Sequence, residues 1–225
     1  MAMTTYGVIK LLSRRFLVFY ISFLWKKGWI PIRSFMGGGK GKTISRYYVD
    51  QFIQSHRVNI HGDVLEIGRN VYRAFIPEEN VHSFSCLDIL DYPDVDIVAD
   101  IQYMPQVQDE RFDSIICTQV LEHIPNPFLA VKELHRVMKP GGKLFLTVPF
   151  LNNLHMEPHD YWRFTEYSLA ELLKSFESVE INNCGTVYHH ILATLGVHSE
   201  DISMDQNAGQ IKTSFPVIIS AFAKK

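Results

Sequence analysis

Apolar positions between residues 63 and 222 fall into short runs that alternate with stretches of helical spacing. The runs at 63–67, 81–87, 96–99, 112–117, 143–148, 178–183 and 215–222 predict strands. Stretches 127–138, 166–175 and 187–195 repeat apolar residues at helical intervals, and 71–76 has room for only a turn or two. Thr43 to His56 also predicts a helix, with Ile44, Tyr47, Tyr48, Phe52 and Ile53 along one face and Ser45 as its cap. Lys139-Pro140-Gly141-Gly142 ends one helix and launches the next strand. Strand and helix alternate, which predicts an α/β fold: a doubly wound, mostly parallel sheet with helical crossovers.

Three of these strands close on an acid. DVLEIG (63–68) ends in Glu66 and a lone glycine, VHSFSCLD (81–88) ends in Asp88, and VDIVAD (95–100) ends in Asp100. Ligands of open α/β sheets bind outside the carboxyl ends of the strands. An acid about twenty residues past a glycine turn can hold ribose hydroxyls there, and Asp88 lies 20 residues after Gly68. A glycine without Cβ lets a ligand approach the backbone.

Charge divides the chain. Residues 1–49 carry nine basic side chains and no acid, whereas the remainder has 13 basic against 24 acidic residues, a net −11. This predicts a basic arm (1–36), a glycine-rich hinge (37–42) and a mildly acidic domain (43–225). Within the arm, Phe16 to Trp25 is an apolar run of ten residues bounded by Arg14-Arg15 and Lys26-Lys27. Crossing a bilayer takes about 20 apolar residues, and no cleavage site follows for a signal peptide. The arm is expected to be a helix lying on an anionic membrane face through residues 1–35, or one packed on a partner. Cys86, Cys117 and Cys184 form no CxxC pair or disulfide framework, so a cytoplasmic location is expected, peripheral at the inner membrane face if the arm docks.

VLEIG, the Asp88 and Asp100 endings, TQVLEHIPNP (118–127) and LHRVMKPGGKLFLTVP (134–149) together resemble class I S-adenosylmethionine-dependent methyltransferases. GKTISRYYVDQFI (41–53) and HDYWRFTEYSLAELL (159–173) are similar to a subgroup associated with glycan or secondary-metabolite biosynthesis. The resemblance implies a Rossmann-like seven-stranded sheet with an antiparallel last strand, 215–222, and S-adenosylmethionine as cofactor. It also implies that Glu66 organises the turn around the methionine amino group, Gly68 admits the cofactor and Asp88 holds the ribose. Asp100 and Ile101 would flank the adenine, and Gln119 would lie near the sulfonium. One departure is Asn70, where the family pattern has a second glycine; asparagine tolerates left-handed backbone angles. The same gap weighs against a nicotinamide dehydrogenase, whose pyrophosphate needs G-x-G-x-x-G.

On the acceptor side, methyl transfer to a hydroxyl requires alignment and removal of a proton. His155, His159 and Asp160 are the candidate catalytic residues, with His123 a further candidate base. Asp160, Trp162 and Arg163 could instead build a salt-bridged corner that holds the following helix. His155 and His159 have metal-pair spacing, but Pro158 interrupts any helix through them, and no metal is expected. The expected activity is O-methylation of a sugar, a lipid-linked glycan or another small molecule, with no nucleic-acid partner. The alternative is a catalytically silent methyltransferase-like module that tethers partners through its arm.

Overall fold

A computed structural model describes Phe16, Phe19, Tyr20, Ser22, Phe23 and Lys27, together with residues 41–154, 159–202, 204 and 214–225. The chain divides into two units, Met1–Gly38 and Gly39–Lys225. In the first, Phe16, Phe19, Tyr20, Ser22 and Phe23 are helical and exposed. The Lys27 N–H donates to the Phe23 carbonyl at 3.0 Å. No helix among the described residues is long and apolar enough to cross a membrane. The rest of the arm and residues 37–40 of the hinge lie outside the described residues.

The second unit opens with helix α1 (Ile44–His56). Its cap is Thr43 rather than the expected Ser45: extended at φ −64° and ψ 155°, Thr43 turns its hydroxyl to accept the Arg46 N–H at 3.1 Å. Ile44, Tyr48, Val49, Phe52 and Ile53 are buried, while Tyr47 is half-buried. Strands follow at β1 (Gly62–Ile67), β2 (Val81–Asp88), β3 (Ile97–Val98) and β4 (Phe112–Thr118). Then come α2 (Pro127–Val137), β5 (Met138–Pro149), α3 (Glu166–Leu172), β6 (Ser178–Cys184), α4 (Val187–Thr194) and β7 (Ile218–Lys224).

These strands form one seven-stranded sheet in the order β3-β2-β1-β4-β5-β7-β6. β3 through β5 are mutually parallel, and β7 runs antiparallel between β5 and β6. The sheet is covered on both faces. One core packs Leu134 and Val137 of α2 and Leu169 and Leu172 of α3 against Leu65, Ile115 and Leu146. The other packs α1 against Val64, Ile116 and Phe145, with Leu192 and Ala193 of α4 beside it. This is the doubly wound arrangement that the strand–helix alternation predicts.

Boundaries differ from expectation where the backbone does something irregular. β5 begins at Met138 instead of 143, because Met138 pairs with Phe112 before Lys139–Gly142 bulges out and Lys143 resumes the ladder opposite Ser114. β7 starts at Ile218, where its pairing with both Pro149 and Cys184 begins; Phe215 lies outside it and is exposed. Between β1 and β2 there are only two 3-10 turns, Arg73–Phe75 and Glu78–Asn80. α2 starts where Asn126 Oδ1 accepts the N–H groups of Phe128 and Leu129, with Pro127 pre-set in its first turn. That start places the β4–α2 connection, residues 119–126, over the carboxyl edge of the sheet, between β1 and β5.

Candidate active site

β1 delivers Glu66 into the interior, where its side chain is buried. Its Oε1 accepts the Val71 N–H at 3.0 Å and its Oε2 that of Tyr72 at 3.1 Å, which folds the chain after β1 back onto the strand. Burial outweighs these two donors and pushes the Glu66 carboxyl up to about 7. Gly68 follows at φ +96°, and a Cβ built on it would meet nothing within 4 Å. Its N–H donates to the Leu87 carbonyl at 2.7 Å, and its own carbonyl accepts the Cys86 thiol at 2.8 Å, so the turn is tied to β2. Burial raises that thiol to about 12.

Asn70 does not take the left-handed conformation that its place in the motif suggested. Among the described residues, Glu110 and Gln119 are the non-glycines with positive φ. Gly68 alone supplies the left-handed residue of this turn. Beside it Arg69 pairs with Asp94, Nε lying 3.0 Å from both carboxylate oxygens, and covers the Tyr92 ring at 4.4 Å.

Asp88 ends β2, half-buried, with Oδ1 accepting the Leu90 N–H at 2.9 Å. Asp100 is held in its own turn: Oδ1 accepts the Gln102 N–H at 2.8 Å, and the Gln102 amide reaches both oxygens. Ile101 beside it is buried. Gln119 terminates β4 at φ +53°, its N–H donating to the Thr147 carbonyl at 2.9 Å and its amide to the Thr147 hydroxyl at 3.2 Å. A non-glycine held at positive φ stores strain of about 1–3 kcal/mol, which the two bonds to β5 maintain.

Sequence reasoning missed a second layer behind Glu66. Arg46 of α1 pairs with Asp50 at 3.0 Å, and its guanidinium lies 5.0 Å from the centre of the Tyr72 ring. Its charge acts on both Glu66 and Tyr72, drawing their pKa values downward against burial. Lys42 closes on the same Asp50 at 2.8 Å. The sequence clue was GKTISRYY itself, where two cations precede the first acid at helical spacing.

The opposite rim is built by the 3-10 turn Leu121–His123 and the segment 159–164. The Glu122 carbonyl accepts the Tyr161 N–H at 2.7 Å and the Trp162 N–H at 3.3 Å, and the Trp162 indole donates to the Ile124 carbonyl at 2.9 Å. Both Asp160 oxygens are taken by Arg163, Nη2 to Oδ2 at 2.7 Å, and Arg163 also donates to the Asn153 carbonyl at 2.8 Å. Asp160, Trp162 and Arg163 thus form the ion-paired corner, and Asp160 serves there as an anchor. Glu122, fully buried, is pushed up to about 8 by burial. His159 sits at the exposed end of this corner, its ring edge-on to Tyr161 at 5.8 Å. His155 lies outside the described residues.

No group of three His, Cys, Asp or Glu side chains among the described residues could hold a metal ion. The carboxyl edge does fit a zwitterionic nucleoside. An open cradle stands over Gly68, acids flank it at Glu66 and Asp88, and a cation stands behind it at Arg46. A separate groove of about 660 Å³, lined by residues such as Val71, Arg73, Val81 and Phe84, lies over the start of β2. Asp88 and Gln119 are not among its lining residues.

Residues 97–214 match a family model described as a methyltransferase domain, and residues 36–146 match a second model with that description. The ubiquinone biosynthesis O-methyltransferase of Histophilus somni is 28% identical over 125 residues, covering 47% of this chain and 51% of that protein. Its namesake in Xanthomonas oryzae pv. oryzae is 38% identical over 50 residues, covering 22% of this chain and 21% of that protein. The chain therefore spans about half, or less, of the length of these curated relatives. A SAM-dependent methyltransferase from Archaeoglobus fulgidus superposes with a TM-score of 0.51 at 19% identity, covering 80% of this chain and 90% of that one. The Burkholderia thailandensis 1,6-didemethyltoxoflavin-N1-methyltransferase, solved with S-adenosylhomocysteine, gives 0.51 at 15% identity over 100% of this chain and 92% of that one. At these identities the shared property is the fold.

Proposed function

Since the chain belongs to the methyltransferase-domain family, we propose that it transfers the methyl group of S-adenosylmethionine to a hydroxyl oxygen of a small molecule. The observation that carries this reading is the open space over Gly68 between Glu66 and Asp88 at the carboxyl edge of the parallel strands. Bound there, S-adenosylmethionine would supply an electrophilic methyl group. Glu66 and the turn it closes would face the methionine amino group, and Arg46 its carboxylate. Asp88 would hold the ribose hydroxyls, and Asp100 and Ile101 would border the adenine. Gln119, fixed to Thr147, would stand nearest the sulfonium and align the acceptor for in-line attack.

The acceptor's proton would go to a histidine of the facing rim, where His155, His159 and His123 are the candidates, with Asp160 holding the corner. A sugar, glycoconjugate or other small-molecule hydroxyl would meet this rim from solvent. The curated relatives named for O-methylation support an oxygen acceptor. Replacing Asp88 by Ala is expected to weaken S-adenosylhomocysteine binding by about 1–3 kcal/mol, the range for charge-assisted hydrogen bonds. Unchanged affinity would remove the ribose assignment.

The basic arm would bring the domain to an anionic membrane carrying a lipid-linked acceptor, each basic side chain adding about 1 kcal/mol near the surface. Flotation with anionic vesicles tests this. Equal partitioning of the full chain and a form beginning at Gly37 would contradict it.

A further inference from the structure

Gly68 and Asp88 stand where the chain leaves β1 and β2, and Arg69 joins the two loops that begin there. The β2–β3 loop, residues 89–96, departs from Asp88, whose Oδ1 accepts the Leu90 N–H at 2.9 Å. It returns at Asp96, where the N–H donates to the Cys86 carbonyl at 2.9 Å and Oδ2 accepts the Cys86 N–H at 2.8 Å. Its tip is a turn closed by the Val95 N–H on the Tyr92 carbonyl at 3.0 Å. Both ends of the loop are thus tied to β2, and Arg69 reaches the tip from outside. Arg69 Nε lies 3.0 Å from both Asp94 oxygens and Nη2 3.0 Å from Oδ1, with the guanidinium 4.4 Å from the centre of the Tyr92 ring.

An isolated ion pair in water contributes little, because two side chains must be held in one geometry. This pair differs. Fork and carboxylate meet side-on through two nitrogens, and an aromatic ring supports the same guanidinium. Arg69 first, and then backbone N–H groups with that of Asn70 among them, hold the Asp94 carboxyl below the usual range. Asn70 is the residue that replaces the second glycine of the family pattern, and Asp94 draws on its N–H from the loop. The pair also reaches the cradle. After Asp94 itself, the Asp88 charge raises the Arg69 pKa, and besides burial the Asp94 charge raises that of Glu66. Both acids flanking the open space over Gly68 therefore feel this pair.

We propose that Arg69 and Asp94 are positioning residues for the cofactor: their pairing holds the β2–β3 loop against the Gly68 turn and keeps Asp88 in place for the ribose. The proposal rests on the methyltransferase reading of the same site. Neither side chain needs to touch the ligand. Without the pair the loop tip loses its hold on the β1 turn, and only part of the population presents Asp88 and Gly68 together. Apparent affinity then falls by that fraction.

Calorimetry with S-adenosylhomocysteine on the full chain, on Arg69→Gln, on Asp94→Asn and on the double variant tests the proposal. Side-chain exposures of 53% for Arg69 and 33% for Asp94 mean that all three variants should fold, with thermal midpoints near the parent's. Each single variant is expected to bind about fivefold more weakly. The double variant should bind no more weakly than the weaker single, because the two residues act as one unit. Arg69→Lys, which keeps the charge and loses the fork, should fall between parent and Arg69→Gln. Hydrogen exchange supplies a readout independent of the ligand: the peptide covering residues 89–96 should exchange several-fold faster in ligand-free Arg69→Gln than in the parent. Unchanged affinity in both single variants, a double variant that loses the product of the two losses, or unchanged exchange of that peptide overturns the proposal alone. A parent protein that binds no S-adenosylhomocysteine overturns the methyltransferase reading, and this proposal with it.

Discussion

The carboxylate of Glu66 accepts the backbone N–H of Tyr72 at 3.1 Å, so one buried acid fixes the path of the chain leaving β1. That arrangement has a pH signature. Burial raises the folded-state pKa from 4.5 to about 7, so between those values the folded chain holds a proton that the unfolded chain has lost. Stability should therefore fall as pH rises from about 4.5 through about 7 and then level off, with a total near 3 kcal/mol from this group. Glu66→Gln should flatten that part of the profile in urea unfolding measured across pH. An unchanged slope would mean that Glu66 ionises as freely in the folded protein as in the unfolded one.

Asp160 and Arg163 hold the far rim, with the Asp160 side chain 1% exposed. Asp160→Ala leaves a partly buried guanidinium without its carboxylate, and breaking such pairs costs about 3–5 kcal/mol. Denaturant midpoints should shift accordingly, while S-adenosylhomocysteine affinity should change far less, since Asp160 stands on the acceptor side.

How much of this was legible in the sequence depended on whether a local pattern determined it. Ile115, Ile116 and Cys117 of β4 are consecutive, apolar and buried because a strand covered on both faces leaves no polar side there, so this run could be read directly. The bulge at Lys139–Gly142 could not, because it is set by how Phe112 and Met138 pair across two strands. Glu66, Gly68 and Asp88 stood out because each ends or follows an apolar run. Arg46 and Glu122 did not. Their importance comes from a helix laid over the turn after β1 and from burial by a corner 36 or more residues away, neither of which leaves a mark at the residue itself.

Gly68 separates ligand room from folding. At φ +96° any side chain is strained, costing about 1–2 kcal/mol. Yet the space above it is open, so Gly68→Ala should fold. The added methyl group would stand in the cofactor cradle, and S-adenosylhomocysteine affinity should drop by roughly tenfold or more, about 1.4 kcal/mol or greater. Circular dichroism with calorimetry on the same sample tells the two effects apart.

The carboxyl edge between Glu66 and Asp88 is the proposed S-adenosylmethionine site. Isothermal titration calorimetry of the full chain with S-adenosylhomocysteine tests it most directly. Saturable binding at one site per chain is expected, weakened in both Gly68→Ala and Asp88→Ala. A folded parent protein that gives no binding heat at any temperature tried, and no thermal stabilisation by the same ligand, would contradict it.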